Sequence, residues 1–383
     1  MSARPKPLDG LTVIDLTRLL PGPMATLHLA DLGAEVIKIE SPGGGDDART
    51  LGAMNGDTSY FYQLLNRNKK HRVLDLKQPA DHATALALID AADILVEGFR
   101  PGVMARLGLD YATLAARNPR LVYCSISGYG QSGPYAQRAG HDINYLGYAG
   151  VLDQTGVAGG PPALCNLQIA DLLGGALTPL VGVLAAVIDA RARGRGRHVD
   201  VAMTDAVLAH TVFAMAQTLA TGAPAPRGED LLDGGVPCYG VYATRDGRYM
   251  AVGALEAKFW HRVCDTLARP DLKPHHLARG ADGAYARREL DAIFATRTQA
   301  EWVAVFDPVD CCVTPVLRLD ESLQNPQLRA RGMVVEVGGM RQFAPPFGLS
   351  DFDFGDARPA VGAETDGVRA RARADDGTGT PAR

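Results

Sequence analysis

The turn that follows the first strand-like run, Thr17-Arg-Leu-Leu-Pro-Gly-Pro, contains no Gly-x-Gly-x-x-Gly. A dinucleotide needs those glycines for close approach of its pyrophosphate, so a nicotinamide oxidoreductase is disfavoured, although Glu40 does supply an acid at the end of the next strand. A basic surplus is missing as well: 39 lysines and arginines stand against 43 acidic residues, a net charge of −4. Broad attraction to nucleic acid is therefore not expected. Met1-Ser-Ala-Arg-Pro-Lys-Pro leads into a strand and not into an apolar segment, so no signal peptide is expected. The six cysteines show no Cys-x-x-Cys spacing, which fits reduced thiols in a cytoplasmic protein. The longest apolar stretch, Leu172 to Ile188, is broken by Gly174, Gly175, Pro179 and Gly182 and flanked by Asp171 and Asp189. It reads as a buried core helix and not a membrane span.

With 46% hydrophobic and 21% charged residues over 383 positions, the chain suits two globular domains. Leu11-Thr-Val-Ile-Asp-Leu16 is an apolar run of buried-strand type, Met24 to Leu32 has helical spacing, and Ala34 to Glu40 is a second strand. Strand, helix, strand in about thirty residues is a βαβ unit, the builder of parallel sheets. Val73 to Leu76, Asp93 to Glu97 and Leu121 to Ser127 are further predicted strands, with a helix over Pro79 to Ala91. The fold class expected is α/β: a Rossmann-like large domain with a parallel sheet, and a smaller α+β domain.

The stretch most suggestive of a site is Gly128-Tyr-Gly-Gln-Ser-Gly-Pro-Tyr-Ala-Gln-Arg-Ala-Gly-His-Asp-Ile-Asn-Tyr-Leu146. A strand ends, a glycine loop forms, and the His141-Asp142 pair opens a helix. In an α/β sheet, ligands bind outside the carboxyl ends of the strands. Asp171 follows at the start of the long apolar helix Leu172 to Ala192, where a carboxylate is both a helix cap and a group whose ionisation the helix end tunes. Two basic segments stand at successive strand ends: Asn66 to Lys77, with five lysines and arginines in twelve residues, and Gly98-Phe-Arg-Pro-Gly102. Facing one rim of the sheet, they could neutralise a ligand carrying several phosphates.

Later, His198 to Ala202 is a strand and Ala206 to Ala220 a helix, before the Pro/Gly-rich Thr221 to Gly228. Tyr239 to Thr244 and Arg248 to Gly253 form a hairpin through Arg245-Asp-Gly. Phe259 to Ala268 and Arg287 to Val305 are helical, and Val313-Thr-Pro-Val316 is expected to return toward the first domain. The domains expected are 1–200, large and ligand-binding; 201–228, a helical linker; 229–316, small α+β; 317–358, a return that completes the large domain; and 359–383, a low-complexity tail.

Asp15-Leu-Thr-Arg-Leu-Leu-Pro-Gly-Pro, Ala30-Asp-Leu-Gly-Ala-Glu-Val-Ile-Lys-Ile-Glu, Leu74-Asp-Leu-Lys77, Ala139-Gly-His-Asp-Ile-Asn-Tyr-Leu146, Leu232-Asp-Gly-Gly235, Val252-Gly-Ala-Leu-Glu256 and Val313-Thr-Pro-Val-Leu317 together resemble the family III CoA-transferases. Within that superfamily they look most like the α-methylacyl-CoA racemases. The resemblance runs from about residue 8 to about 350, in order. It implies an interlocked homodimer with long linkers, a site between one subunit's large domain and the other's small domain, an acyl-CoA substrate, and no cofactor beyond its CoA moiety.

The resemblance places an acid/base pair on His141 and Asp171, with Glu256 as the carboxylate that pairs with the histidine. Inversion beside a thioester carbonyl asks for two groups of matched basicity on opposite faces of the carbon. Backbone amides around Asp142 are expected to stabilise the enolate oxygen, and Tyr145, one turn on from His141, is expected to donate to Asp171. CoA contacts are expected from Leu74, Asp75, Leu76, Lys77, Gly98, Phe99, Arg100, Arg106 and Gly140. Where the family often has Arg after the acid closing the second strand, this chain has Ser41, and Lys38 or Arg49 is expected to substitute. The alternatives are a CoA-transferase in which Asp171 attacks the thioester, and a non-catalytic CoA-binding protein, against which an intact His141, Asp171 and Glu256 weigh.

Overall fold

The computed structural model describes residues 6–352, 354 and 357–360. They form two compact units. The first comprises the described residues up to Ala149, Asn166–His210, and those from Ala330 on; the second comprises Gly150–Cys165 and Thr211–Arg329. The chain thus leaves the first unit at Ala149, ahead of the expected boundary, and the expected 201–228 linker is divided between the two.

The first unit is built on six parallel strands: β1 (Thr12–Leu16), β2 (Glu35–Glu40), β3 (Lys70–Val73), β4 (Ile94–Glu97), β5 (Val122–Ser127) and β6 (His198–Ala202). Their order in the sheet is 3-2-1-4-5-6. This is the doubly wound arrangement, whose order reverses between β1 and β4 and opens a crevice at the strands' carboxyl ends. The central strands are apolar because both faces are covered: Val13, Ile14, Ile94 and Leu95 have no exposed surface. Helices α1 (Pro21–Asp31) and α2 (Pro79–Asp90) each start on a proline in the first turn, where its missing N–H costs nothing.

The third strand lies three residues before the position read from Val73 to Leu76. The basic run before it is why. Lys69 sits fully buried, its Nζ 3.2 Å from Asp15 and within hydrogen-bond distance of the Pro23 carbonyl and Thr26, while Arg67 pairs with Asp31. His71 lies 3.2 Å from Glu40, and Lys70 meets Glu35. Arg67, Lys69 and Lys70 join β3 to α1, β1 and β2, so they are fold-holding partners of nearby acids and not phosphate ligands, contrary to the sequence reading.

Helix α3 (Asp142–Tyr148) begins one residue after His141. The long apolar segment runs from Ala170 to Arg193, but its first eight residues, Ala170–Leu177, form a π-helix, and only Thr178–Arg193 (α4) is α-helical. A Cβ on Gly174 would stand 2.9 Å from the Met203 carbonyl oxygen, and one on Gly175 would stand 2.3 Å from the Pro21 side chain. The glycines therefore let this wide turn lie directly against neighbouring backbone. By length and composition the run could cross a membrane, with a mean hydropathy of 1.9, and 39% of that window is buried. It is not wholly buried as expected: Leu180, Val183 and Val187 face the core, while Val181 and Ile188 are exposed.

The helix expected over Ala206 to Ala220 is two, Met203–Leu208 and α5 (Val212–Thr221), and the boundary between units falls in the break. In the second unit β7 (Tyr239–Ala243) and β8 (Tyr249–Gly253) form the anticipated hairpin. Helices α6 (Ala257–Thr266), α7 (Gly280–Phe294) and α8 (Gln299–Phe306) pack around buried Trp260, Phe294, Trp302 and Phe306. The single helix expected over Arg287 to Val305 is interrupted because Thr298 caps a new one: its Oγ1 accepts from the Glu301 N–H, and Glu301 returns a bond to the Thr298 N–H. Val313–Pro315 (β9) does not lead back to the first unit. It pairs antiparallel with β8 and completes a three-stranded sheet. The tail expected over 359–383 falls, beyond Ala360, outside the described residues.

Candidate active site

Two cavities open at the carboxyl ends of the parallel strands. The first, of about 560 Å³, is lined by Leu16 and Arg18 after β1, Glu40, Ser41 and Asp46 after β2, Leu74 to Lys77 after β3, and Phe99 and Arg106 after β4. Every residue of the expected Leu74-Asp-Leu-Lys77 segment is there, and Arg106 with it. Lys38 is not. Its Nζ is completely buried, 2.6 Å from the Thr17 carbonyl and 3.0 Å from Asp46, so it holds the loop after β1 and has no face for a ligand. Arg49 is also committed: its guanidinium pairs with Glu40 at 2.7 Å and lies 4.0 Å over the Tyr62 ring. Glu40 takes bonds from Arg49 and Tyr62 and lies against His71, and those contacts outweigh its burial and hold its carboxyl below the usual range. The cations that do line the cavity are Arg18, Lys77 and Arg106. Arg18 escaped the sequence reading, although its place directly after β1 was the available signal.

The second cavity, of about 440 Å³, is lined by Gly98, Phe99 and Arg100 after β4, Gly128 and Tyr129 after β5, and Gly140, His141, Tyr145 and Asp171. The structure thus brings the sequence-predicted histidine and aspartate to one cavity, and Phe99 belongs to the walls of both cavities. Phe99 is held from below. Its N–H donates to the buried Glu97 carboxylate at 2.8 Å. Glu97 was not anticipated; burial pushes its carboxyl up to about 7.

His141 is exposed and stands as the residue that opens α3, its backbone N–H donating to the Asn144 side chain at 3.0 Å. Asp142 turns the other way. Its Oδ1 accepts the N–H groups of Ala170 at 2.7 Å and Asp171 at 3.1 Å, tying the start of α3 to the start of the π-helix. Asp171 sits in the first turn of that π-helix, half-buried. Burial raises its carboxyl, and the neighbouring Asp142 charge raises it further, to about 7. Beside the backbone role expected for it, the Asp142 side chain places Asp171 and shifts its ionisation.

Tyr145 is 6% exposed, and its hydroxyl donates to the Gly140 carbonyl at 2.5 Å, not to Asp171 as expected. Its ring explains two of the loop's glycines. A Cβ on Gly128 would stand 2.3 Å from the ring, and one on Gly140 would stand 2.7 Å from it. Tyr129, Tyr135 and Tyr148 continue an aromatic cluster beside the cavity, with ring centroids 5.0 to 5.9 Å apart. Glu256 belongs to the second unit, exposed at the residue preceding α6. Among the described residues no hydrogen bond to its carboxylate is present.

A six-stranded doubly wound sheet thus carries a histidine and an aspartate of raised ionisation on one cavity wall, next to a cavity lined by cations. The sequence matches the family model of CoA-transferase family III over residues 8–365, and the chain belongs to that family. It is 38% identical over 330 residues to the human alpha-methylacyl-CoA racemase, covering 86% of this chain and 82% of that protein. It is 37% identical over 367 residues to the acetyl-CoA:oxalate CoA-transferase of Acetobacter aceti, covering 94% and 93%. Among solved structures, a CAIB/BAIF family protein from Brucella suis superposes with a TM-score of 0.80 at 30% identity, covering 91% of this chain and 94% of that one.

Proposed function

We propose that the protein inverts the α-carbon of 2-methyl-branched acyl-CoA thioesters by proton transfer through an enolate. The observation that carries this reading is that His141 and Asp171 line one cavity while Asp171 is held with its carboxyl at about 7. A carboxyl in that range can accept a proton and return one near neutral pH. In one direction the Asp171 carboxylate takes the α-proton to leave an enolate, and the imidazolium of His141 then delivers a proton to the opposite face; the reverse reaction exchanges the roles. The thioester carbonyl becomes an enolate and reverts, so no bond other than C–H is broken. Arg18, Lys77 and Arg106 supply the cations for CoA phosphates in the adjoining cavity, and Phe99, shared by both walls, marks where the pantetheine arm would pass.

Glu256 enters this reading through a second copy of the chain. A homodimer in which the partner's small unit supplies that carboxylate follows from the family resemblance. It is supported by an exposed apolar row on α5, where Val212, Met215 and Leu219 are 67%, 54% and 75% exposed. A carboxylate beside the imidazole would orient it and stabilise its cation.

A family III CoA-transferase is the second reading, favoured by the similar identity of the Acetobacter transferase and by a carboxylate well placed for attack at Asp171. Incubating one enantiomer of a 2-methylacyl-CoA in deuterated water separates the two. α-Deuterium uptake with loss of optical activity and no acceptor acid supports inversion. Acyl-CoA formed from an added free acid, without exchange, overturns it in favour of transfer.

A further inference from the structure

Arg138 stands three residues before His141 in the glycine loop and lines the same cavity. Three residues of chain span at most about 10 Å, so its guanidinium is within reach of a group only a few bonds from the reacting carbon. It is held in place on two sides. Its Cζ lies 3.9 Å over the Tyr135 ring, and its Nη1 donates to the Tyr148 hydroxyl at 2.8 Å. Those contacts use one face and one donor. Among the described residues Nε and Nη2 have no hydrogen-bond partner, and no carboxylate pairs with the guanidinium.

The charge around it sharpens the point. The cavity is lined by Arg18, Arg100 and Arg138, and by a single carboxylate, Asp171, whose ionisation burial and the Asp142 charge push up to about 7. Arg18 has Asp47 at 4.0 Å, and Arg100 lines the same cavity, its charge felt at Tyr145. Arg138 is exposed at the cavity wall, and the donors that the two tyrosines leave open offer a fork that matches a carboxylate.

We infer that Arg138 is a specificity-determining residue that binds a carboxylate at the far end of a short acyl group, so that the preferred thioesters are those of branched dicarboxylic acids. This deepens the proposed function, since it rests on the reacting carbon lying between His141 and Asp171. The substrate would carry charge at both ends, phosphates in the first cavity and a carboxylate against Arg138, with the α-carbon between them.

The test compares 2-methylsuccinyl-CoA with 2,4-dimethylpentanoyl-CoA, in which an isopropyl group replaces the carboxylate, by calorimetric binding to the full-length protein and to Arg138→Gln. The expected result is a preference of roughly tenfold or more for the carboxylate-bearing thioester, as for a charge-assisted hydrogen bond. In Arg138→Gln it falls to within about twofold, while affinity for free CoA is unchanged, and Arg138→Lys keeps part of it. No preference in the native protein, or an undiminished one in Arg138→Gln, overturns the inference. α-Deuterium exchange is read separately: a binding preference without exchange on either thioester would remove the inversion reaction and leave the carboxylate site standing.

Discussion

The carboxylate of Asp142 accepts the backbone N–H of Asp171 at 3.1 Å, so the residue next to one proposed base positions the other. That bond brings two acidic side chains together, and the raised carboxyl of Asp171 comes first from its burial and second from the Asp142 charge beside it.

Asp142→Asn keeps the acceptor oxygen and removes the charge. The ionisation of Asp171 should move to lower pH, and the acidic limb of the kcat/KM profile should move with it. An unmoved limb would show that the profile reports another group.

Asp171→Asn should reduce inversion by about 10²-fold or more, the usual worth of a positioned acid/base group. Deuterium exchange should survive from one enantiomer only, through His141. Polarimetry and mass spectrometry on each enantiomer separately check this; equal loss of exchange from both would argue against a two-base site.

The same substitution should stabilise the fold at high pH. Asp171 titrates at about 7 in the native protein, above the roughly 4 of an unfolded chain, so its ionisation opposes folding. Native stability from this group is complete below about pH 4 and lost as pH rises through 7. Asp171→Asn should therefore match the native protein in urea at pH 4 and exceed it at pH 8.5, by on the order of 2–4 kcal/mol.

Lys69→Met and Lys77→Ala should behave oppositely. Lys69 is buried against Asp15, and removing it leaves that carboxylate without its partner, at a cost of about 3–5 kcal/mol of stability. Lys77 lines the first cavity, so its loss should weaken acyl-CoA binding with the melting temperature unchanged. Thermal melts and CoA titrations on both variants decide the assignment.

Gly128→Ala should displace the Tyr145 ring, since the added Cβ would stand 2.3 Å from it. Overpacking of this kind costs typically 1–3 kcal/mol, and the variant should melt earlier and lose activity together.

The sheet was legible because its central strands are short apolar runs bounded by turn residues, and His141 and Asp171 were legible through the motifs around them. The basic run at Arg67 to Arg72 was misread for a physical reason. A row of cations looks the same whether its partners are solvent, phosphate, or acids such as Asp15 and Asp31 more than thirty residues away that meet it only after the sheet forms. Lys38 failed likewise, its alternation in β2 giving no sign that Asp46 and the Thr17 carbonyl would enclose it. The breaks at Ala209 and Thr296 lay inside apolar patterns that a continuous helix would satisfy equally well.

The π-helical stretch from Ala170 to Leu177 fixes Asp171 by phase as well as by hydrogen bonds. Each residue of an ordinary helix turns the chain by about 100°, so a wide turn carrying one residue more than an α-helix sets the compass bearing of everything before it relative to α4. Excising a single residue within it would let the backbone relax to regular spacing and swing the aspartate away from the cavity wall. The angle at which this acid faces its substrate is thus held by the count of residues in one turn, a setting that point substitutions leave alone and that a one-residue deletion would reset.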